Sequence, residues 1–187
     1  MNNALAPTFN QDEALVTELH RLGVRHLARF TSTMPETPMP PGDLLAALAR
    51  HPQARFQASL ILLLLRQPAL STRVPQALER LEKRAALTLK LYYQAAVYLQ
   101  RELEPEMTVR LGNWQLLPDL FSTELGLPPV ESVRPDGKSV QSALEALGAA
   151  HRRLTGWAFN WVGAYRQNIP LYLEHLSSHS ANEHPHA

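Results

Sequence analysis

The stretch Leu154-Thr155-Gly156-Trp157-Ala158-Phe159-Asn160-Trp161-Val162-Gly163-Ala164-Tyr165 holds two of the chain's three tryptophans and no charged residue. On a helical wheel its large side chains point in every direction, the pattern of a helix enclosed by others. It is too short and too interrupted by glycine to cross a bilayer, which takes ~20 apolar residues. Read backward, Val140, Leu144, Leu147, His151, Leu154, Trp157 or Ala158, Trp161 and Tyr165 keep one helical period across Gly156. The spacing predicts a single helix over about 139–168, capped by Ser139, as the central packing element.

A second long helix is predicted upstream. Leu78, Leu81, Ala85, Leu89, Tyr92, Ala96, Leu99 and Leu103 recur at three and four residues, from Pro75 to a stop at Pro105. That helix, 75–104, is about 45 Å long at ~1.5 Å per residue. Shorter helices fit Asp43–Arg50, a segment from Pro52 to Arg66, and Asp119–Leu125 stopped by Gly126. At the N-terminus Asn10 is a cap with Glu13 three residues on, so a helix starts at Gln11. Leu15, Leu19, Leu22, Leu27 and Phe30 carry its apolar face past Gly23. Four prolines in 34–42 and three in 127–138 mark irregular crossings. No stretch alternates with period two. The expected fold is therefore all-α, a single-domain bundle of about five to seven helices over 10–176, with a flexible 1–9 and a polar, disordered, His-containing tail at 177–187.

Composition excludes more than it selects. With no cysteine there is neither a disulfide, a thiolate metal site nor a cysteine nucleophile. The longest apolar run, Leu60 to Leu65, is far below membrane-spanning length. The first residues carry no basic region followed by an apolar core, so no secretory signal is expected and the cytoplasm is the expected compartment. Net charge is only +1. Charge is uneven, however: residues 43–75 hold four arginines against Asp43, a balance of +3, and residues 105–187 hold six basic and eight acidic residues, a balance of −2.

The motifs that would carry chemistry are each incomplete. Gly137-Lys138-Ser139 has the end of a phosphate-binding loop, but the glycine required five positions earlier is Ser132 and no strand feeds the loop. No serine has the flanking glycines of a nucleophile elbow. The one Glu-x-x-His match, Glu183 to His186, lies in the tail and contains Pro185; His175 and His179 share a helix face only if the last helix reaches them. No metal and no cofactor is expected.

A basic surface is the second candidate. Arg21, Arg25 and Arg29 fall one turn apart on the first helix, and Arg50 and Arg55 flank the break at His51-Pro52. Such a row suits phosphate contacts. Arg21 and His26 also resemble, in spacing, the Arg-x4-His signature of HEPN-type ribonucleases, which are all-α. The resemblance covers two residues and departs from the family pattern: Leu22 follows the arginine where a polar residue is usual, the pair sits in the first helix, and five helical residues set the side chains about 140° apart. It implies an RNA-binding or RNA-cleaving role.

The third candidate is the opening stretch. His151 and Asn160, polar residues in an apolar helix, would anchor a pocket walled by Trp157, Trp161 and Tyr165, or would be satisfied within the core. The sequence expectation is a non-catalytic helical binding or regulatory protein. It acts through contacts with a partner protein or a second copy, not a membrane. The alternative is a nucleic-acid-associated regulator, antitoxin-like or HEPN-like.

Overall fold

A computed structural model of the chain describes residues 6–25, 27, 37–111, 114–166 and 174. In chain order the elements are α1 (Ala6–Arg21), α2 (Pro41–Arg50), α3 (Ala54–Arg66), a 3-10 segment (Pro68–Arg73), α4 (Val74–Glu79), α5 (Lys83–Leu111), α6 (Ser122–Leu125), a 3-10 turn (Val130–Ser132), α7 (Gly137–Thr155) and α8 (Trp161–Tyr165). Five of these α-helices have ten residues or more, and no strand occurs among the described residues. The all-α class and the number of substantial helices agree with the periodicity. The chain divides into two compact units, Met1–Leu89 and Lys90–Ala187, with α5 running through the boundary.

In the first unit, α1 begins at Ala6, ahead of the expected Gln11. Pro7 is tolerated in a first turn because the N–H it lacks has no intrahelical acceptor. The helix then stops well short of Phe30. Gly23 adopts φ +84°, its N–H donates to the His20 carbonyl at 3.0 Å, and the Val24 N–H donates to the Leu19 carbonyl at 2.8 Å. This is a Schellman ending, closed by the buried pair Leu19 and Val24. The apolar period had continued across a glycine that in fact terminates the helix.

α2 and α3 pack through Leu44, Leu45, Leu48, Phe56, Leu60 and Leu63, all 0–1% exposed. At their junction His51 is buried against Phe56, with ring centroids 3.9 Å apart. Its Nδ1 accepts from the Gln53 N–H at 3.2 Å, which leaves Nε2 as the donor to Asp12 Oδ1 of α1 at 2.8 Å. Both ring nitrogens are engaged, so this histidine ties three helices together.

The helix expected over 75–104 is two helices. Its break at 80–82 is anchored from α2, where Asp43 pairs with Arg80 and Arg50 donates to the Arg80 carbonyl. Glu82 then accepts the Ala85 N–H at 3.1 Å and starts α5 afresh. Pro105 does not end α5. Leu103 and Met107, both fully buried, hold the helix in register on either side of the missing hydrogen bond.

In the second unit, α5 presents ten consecutive buried residues, 91–100. Three of the polar ones organise the loops. Tyr93 and Tyr98 hydroxyls donate to the carbonyls of Pro118 (2.8 Å) and Pro128 (2.6 Å). Gln100, 1% exposed, donates to the Gln115 carbonyl at 2.9 Å and accepts from the Leu117 N–H at 2.5 Å. The helix expected from Asp119 starts at Ser122 instead, because the Asp119 carboxylate accepts the N–H groups of Ser122 (3.1 Å) and Val130 (2.8 Å). It ends at Gly126, as its sequence predicts.

The helix expected over 139–168 begins at Gly137, with Asp136 rather than Ser139 as the cap, accepting the Ser139 N–H at 2.7 Å. It ends at Thr155. Gly156 takes φ +79° and its N–H donates back to the Arg152 carbonyl at 2.8 Å. Residues 157–160 are non-helical and α8 starts at Trp161.

Two substitutions check this reading. A β-carbon at Gly156 meets nothing within 4 Å, so Gly156→Ala costs only the left-handed backbone, about 1–2 kcal/mol. In an uninterrupted helix the same change would stabilise by about 1 kcal/mol, so the sign of the shift in chemical denaturation decides between the two. Gln100→Leu strands the buried Leu117 N–H and is expected to lower unfolding stability by about 1–3 kcal/mol in the same measurement.

Candidate functional site

The opening stretch of sequence builds a surface feature of the second unit. After the Gly156 turn, the Thr155 hydroxyl donates to the His151 carbonyl at 2.8 Å and accepts from the Trp157 N–H at 3.2 Å. The chain then returns alongside α7. The Phe159 carbonyl lies so close to Gly148 that a β-carbon there would stand 3.2 Å from it. Asn160 turns the chain into α8 as its N-cap, with Oδ1 accepting the Gly163 N–H at 2.9 Å.

Behind this return segment the rings cluster. Trp161, 1% exposed, stands 4.7 Å from Phe159, 5.0 Å edge-on from Tyr92 and 5.4 Å from Tyr165 between centroids. His151 stacks on Phe159 at 5.7 Å. Its Nδ1 is buried without a hydrogen-bond partner, as is Trp161 Nε1, and burial holds the imidazole pKa below its ordinary value. Burial also pushes the Tyr92 phenol up, partly offset by its hydrogen bond with Tyr165.

In front of the cluster, between α7 and residues 158–162, lies an open cleft of about 410 Å³. Leu144, Gly148 and Ala149 line it from α7, and Ala158, Phe159, Trp161 and Val162 from the other side. Glu145, Arg152 and Asn160 are the polar lining residues. Glu145 accepts from the Gln141 amide at 2.9 Å.

Of the five residues expected to form a pocket, the structure brings together His151, Trp161 and Tyr165. Asn160 lines the cleft but serves as a helix cap instead of a buried anchor. Trp157 walls nothing and is 77% exposed. Both displacements follow from the Gly156 turn, which rotates every later residue off the expected helical wheel. Phe159, Tyr92, Glu145 and Arg152 escaped the sequence reading. Taking Gly156 as a stop and Asn160 as a new cap would have placed the first of them.

The helix expected to carry Arg21, Arg25 and Arg29 ends at Arg21. Arg21 ends α1 in an ion pair with Glu18, Arg25 is exposed beyond the Gly23 turn, and Arg29 lies outside the described residues. Arg50 stands 3.8 Å from Glu82, and Arg55 donates to Gln53 at 2.7 Å beside the Phe56 ring. His26 and the tail histidines also lie outside the described residues. Among the described residues no group of three or more His, Asp or Glu side chains converges on a metal position. At Gly137-Lys138-Ser139 the Asp136 carboxylate occupies the place a phosphate would take at the start of α7. No described helix is long and apolar enough to cross a membrane.

No protein-family model, no curated protein and no solved structure matches the chain.

The depressed His151 pKa has a direct thermodynamic consequence. The unfolded chain takes up a proton near the ordinary histidine value of 6.5. The folded form does so only at lower pH, so this group's stabilising contribution is complete above about 6.5 and declines as pH falls toward the folded value. Denaturation midpoints measured from neutral to mildly acidic pH should therefore fall less steeply for His151→Gln than for the wild type. Parallel curves would show that the ring is not buried as described.

Proposed function

We propose that the chain is a non-catalytic helical protein that works by binding another protein through the face of its C-terminal unit carrying Trp157. The observation behind this reading is the exposure of that side chain, 77%, beside Leu154 at 43% and adjoining the open apolar cleft. Tryptophan is among the residues most enriched at binding hot spots, and a grouped set of exposed apolar side chains marks an interaction surface more often than an idle one. The backbone of Trp157 is fixed by the Gly156 turn and the Thr155 hydroxyl, which leaves less main-chain ordering to be done on binding. The nucleic-acid alternative has less behind it, because Glu18 and Glu82 face Arg21 and Arg50 and α1 ends before Arg25.

Tagged wild-type protein and Trp157→Ala, expressed at native level, provide the test. Trp157→Ala should fold as the wild type does and retain at least about tenfold less of its associated protein. Identical associated proteins in both samples would contradict the proposal, and salt-sensitive binding of RNA or DNA with no bound protein would favour the alternative.

A further inference from the structure

Resting on the protein-binding reading above, we infer that the occupant of this face is a second copy of the chain, joined through α7 as an antiparallel pair related by a two-fold axis. The solvent face of α7 is a ridge formed by Ser142, Glu145, Ala149 and Arg152, all exposed at spacings of three, four and three. Glu145, Ala149 and Arg152 of this ridge also form the rim of the cleft between α7 and residues 158–162. A ridge and a groove side by side on one patch are what an isologous interface requires, since each copy then offers its ridge to the other's groove.

The charges select the partner and its direction. Glu145 and Arg152 are seven residues apart, ~10.5 Å along the helix. Any helix seated here must bring an anion to Arg152 and a cation to Glu145 at the same separation, and α7 in reverse orientation carries that pair. With the axis between Gly148 and Ala149, Glu145 of each copy faces Arg152 of the other. A parallel pair would oppose like charges. At the axis the exposed ridge residue is Ala149, whose small side chain lets the two helices come close where the ridges cross. The Arg152 guanidinium makes no ion pair among the described residues, and Glu145 holds only a neutral amide. Both are therefore available. The cleft's openness along the surface suits a helix better than an enclosed small molecule.

Sedimentation equilibrium on the full chain up to about 100 μM, with circular dichroism to verify folding, tests this. Wild type should show a reversible monomer–dimer equilibrium. Glu145→Arg and Arg152→Glu, both on exposed positions, should each weaken dimerisation at least about tenfold, because each places like charges at two symmetric contacts. The double exchange should restore it to within a few-fold. A wild type that stays monomeric throughout, or a dimer indifferent to both single changes, overturns the inference. A monomeric wild type that still captures a protein in a Trp157-dependent way overturns only the second copy as occupant. Loss of that capture as well would remove the protein-binding reading too.

Discussion

The C-terminal unit depends on one backbone conformation, the left-handed turn at Gly156. A residue with a β-carbon resists that region by about 1–2 kcal/mol, and glycine enters it freely. Because α7 ends there, the chain folds back along the helix it has just left, and the cleft exists between the two. Because the segment after it is non-helical, Trp157 is exposed, whereas continuation of the helix would have placed it one turn before Trp161. Asn160 then has a reason to be where it is: it caps the next helix. The aromatic cluster of Tyr92, His151, Phe159, Trp161 and Tyr165 forms the inner wall of the same turn.

The rest of that unit shows how irregular chain is held onto a helix. Segments 114–121 and 126–136 have few backbone hydrogen bonds of their own, and α5 supplies the missing partners from its buried face. Tyr93, Tyr98 and Gln100 reach loop carbonyls, and Gln100 also receives a loop N–H. Two of those carbonyls belong to prolines, residues that lack a donor and cannot join a regular ladder. Burial raises the Tyr98 phenol above its ordinary range, which favours the protonated form that donates to Pro128. In the first unit the same task falls to His51, whose two nitrogens join α1 to the α2–α3 corner.

Helical periodicity made the all-α class legible, together with the spans of α2, α3 and much of α5, because apolar residues repeating at three and four positions have few other uses. It failed at glycine. Gly23 and Gly156 both end helices, yet Leu27 and Trp161 beyond them continue the spacing, and a period alone cannot tell continuation from coincidence. Gly126 was readable because nothing periodic follows it. Pro105 misled in the opposite direction: a strong local breaker was overruled by burial of Leu103 and Met107. The break at residues 80–82 had only one local signal, the cap at Glu82, since the other groups that fix it, Asp43 and Arg50, lie 37 and 30 residues away in sequence. The candidate site inherits these outcomes. His151, Trp161 and Tyr165 were legible as neighbours on one face. Trp157 was misplaced because its position depends on a turn at the residue before it, and α1 ends at Arg21, ahead of Arg25.

Amide hydrogen exchange in dilute protein tests the turn most directly. The N–H groups of Ala158, Phe159 and Asn160 lie between two helices and should exchange much faster than those of Leu144 to Ala150 on one side and Ala164 on the other, whose carbonyl partner is Asn160 at 3.0 Å. Protection running unbroken from Val140 to Tyr165 would mean a continuous helix, with no cleft and no outward Trp157.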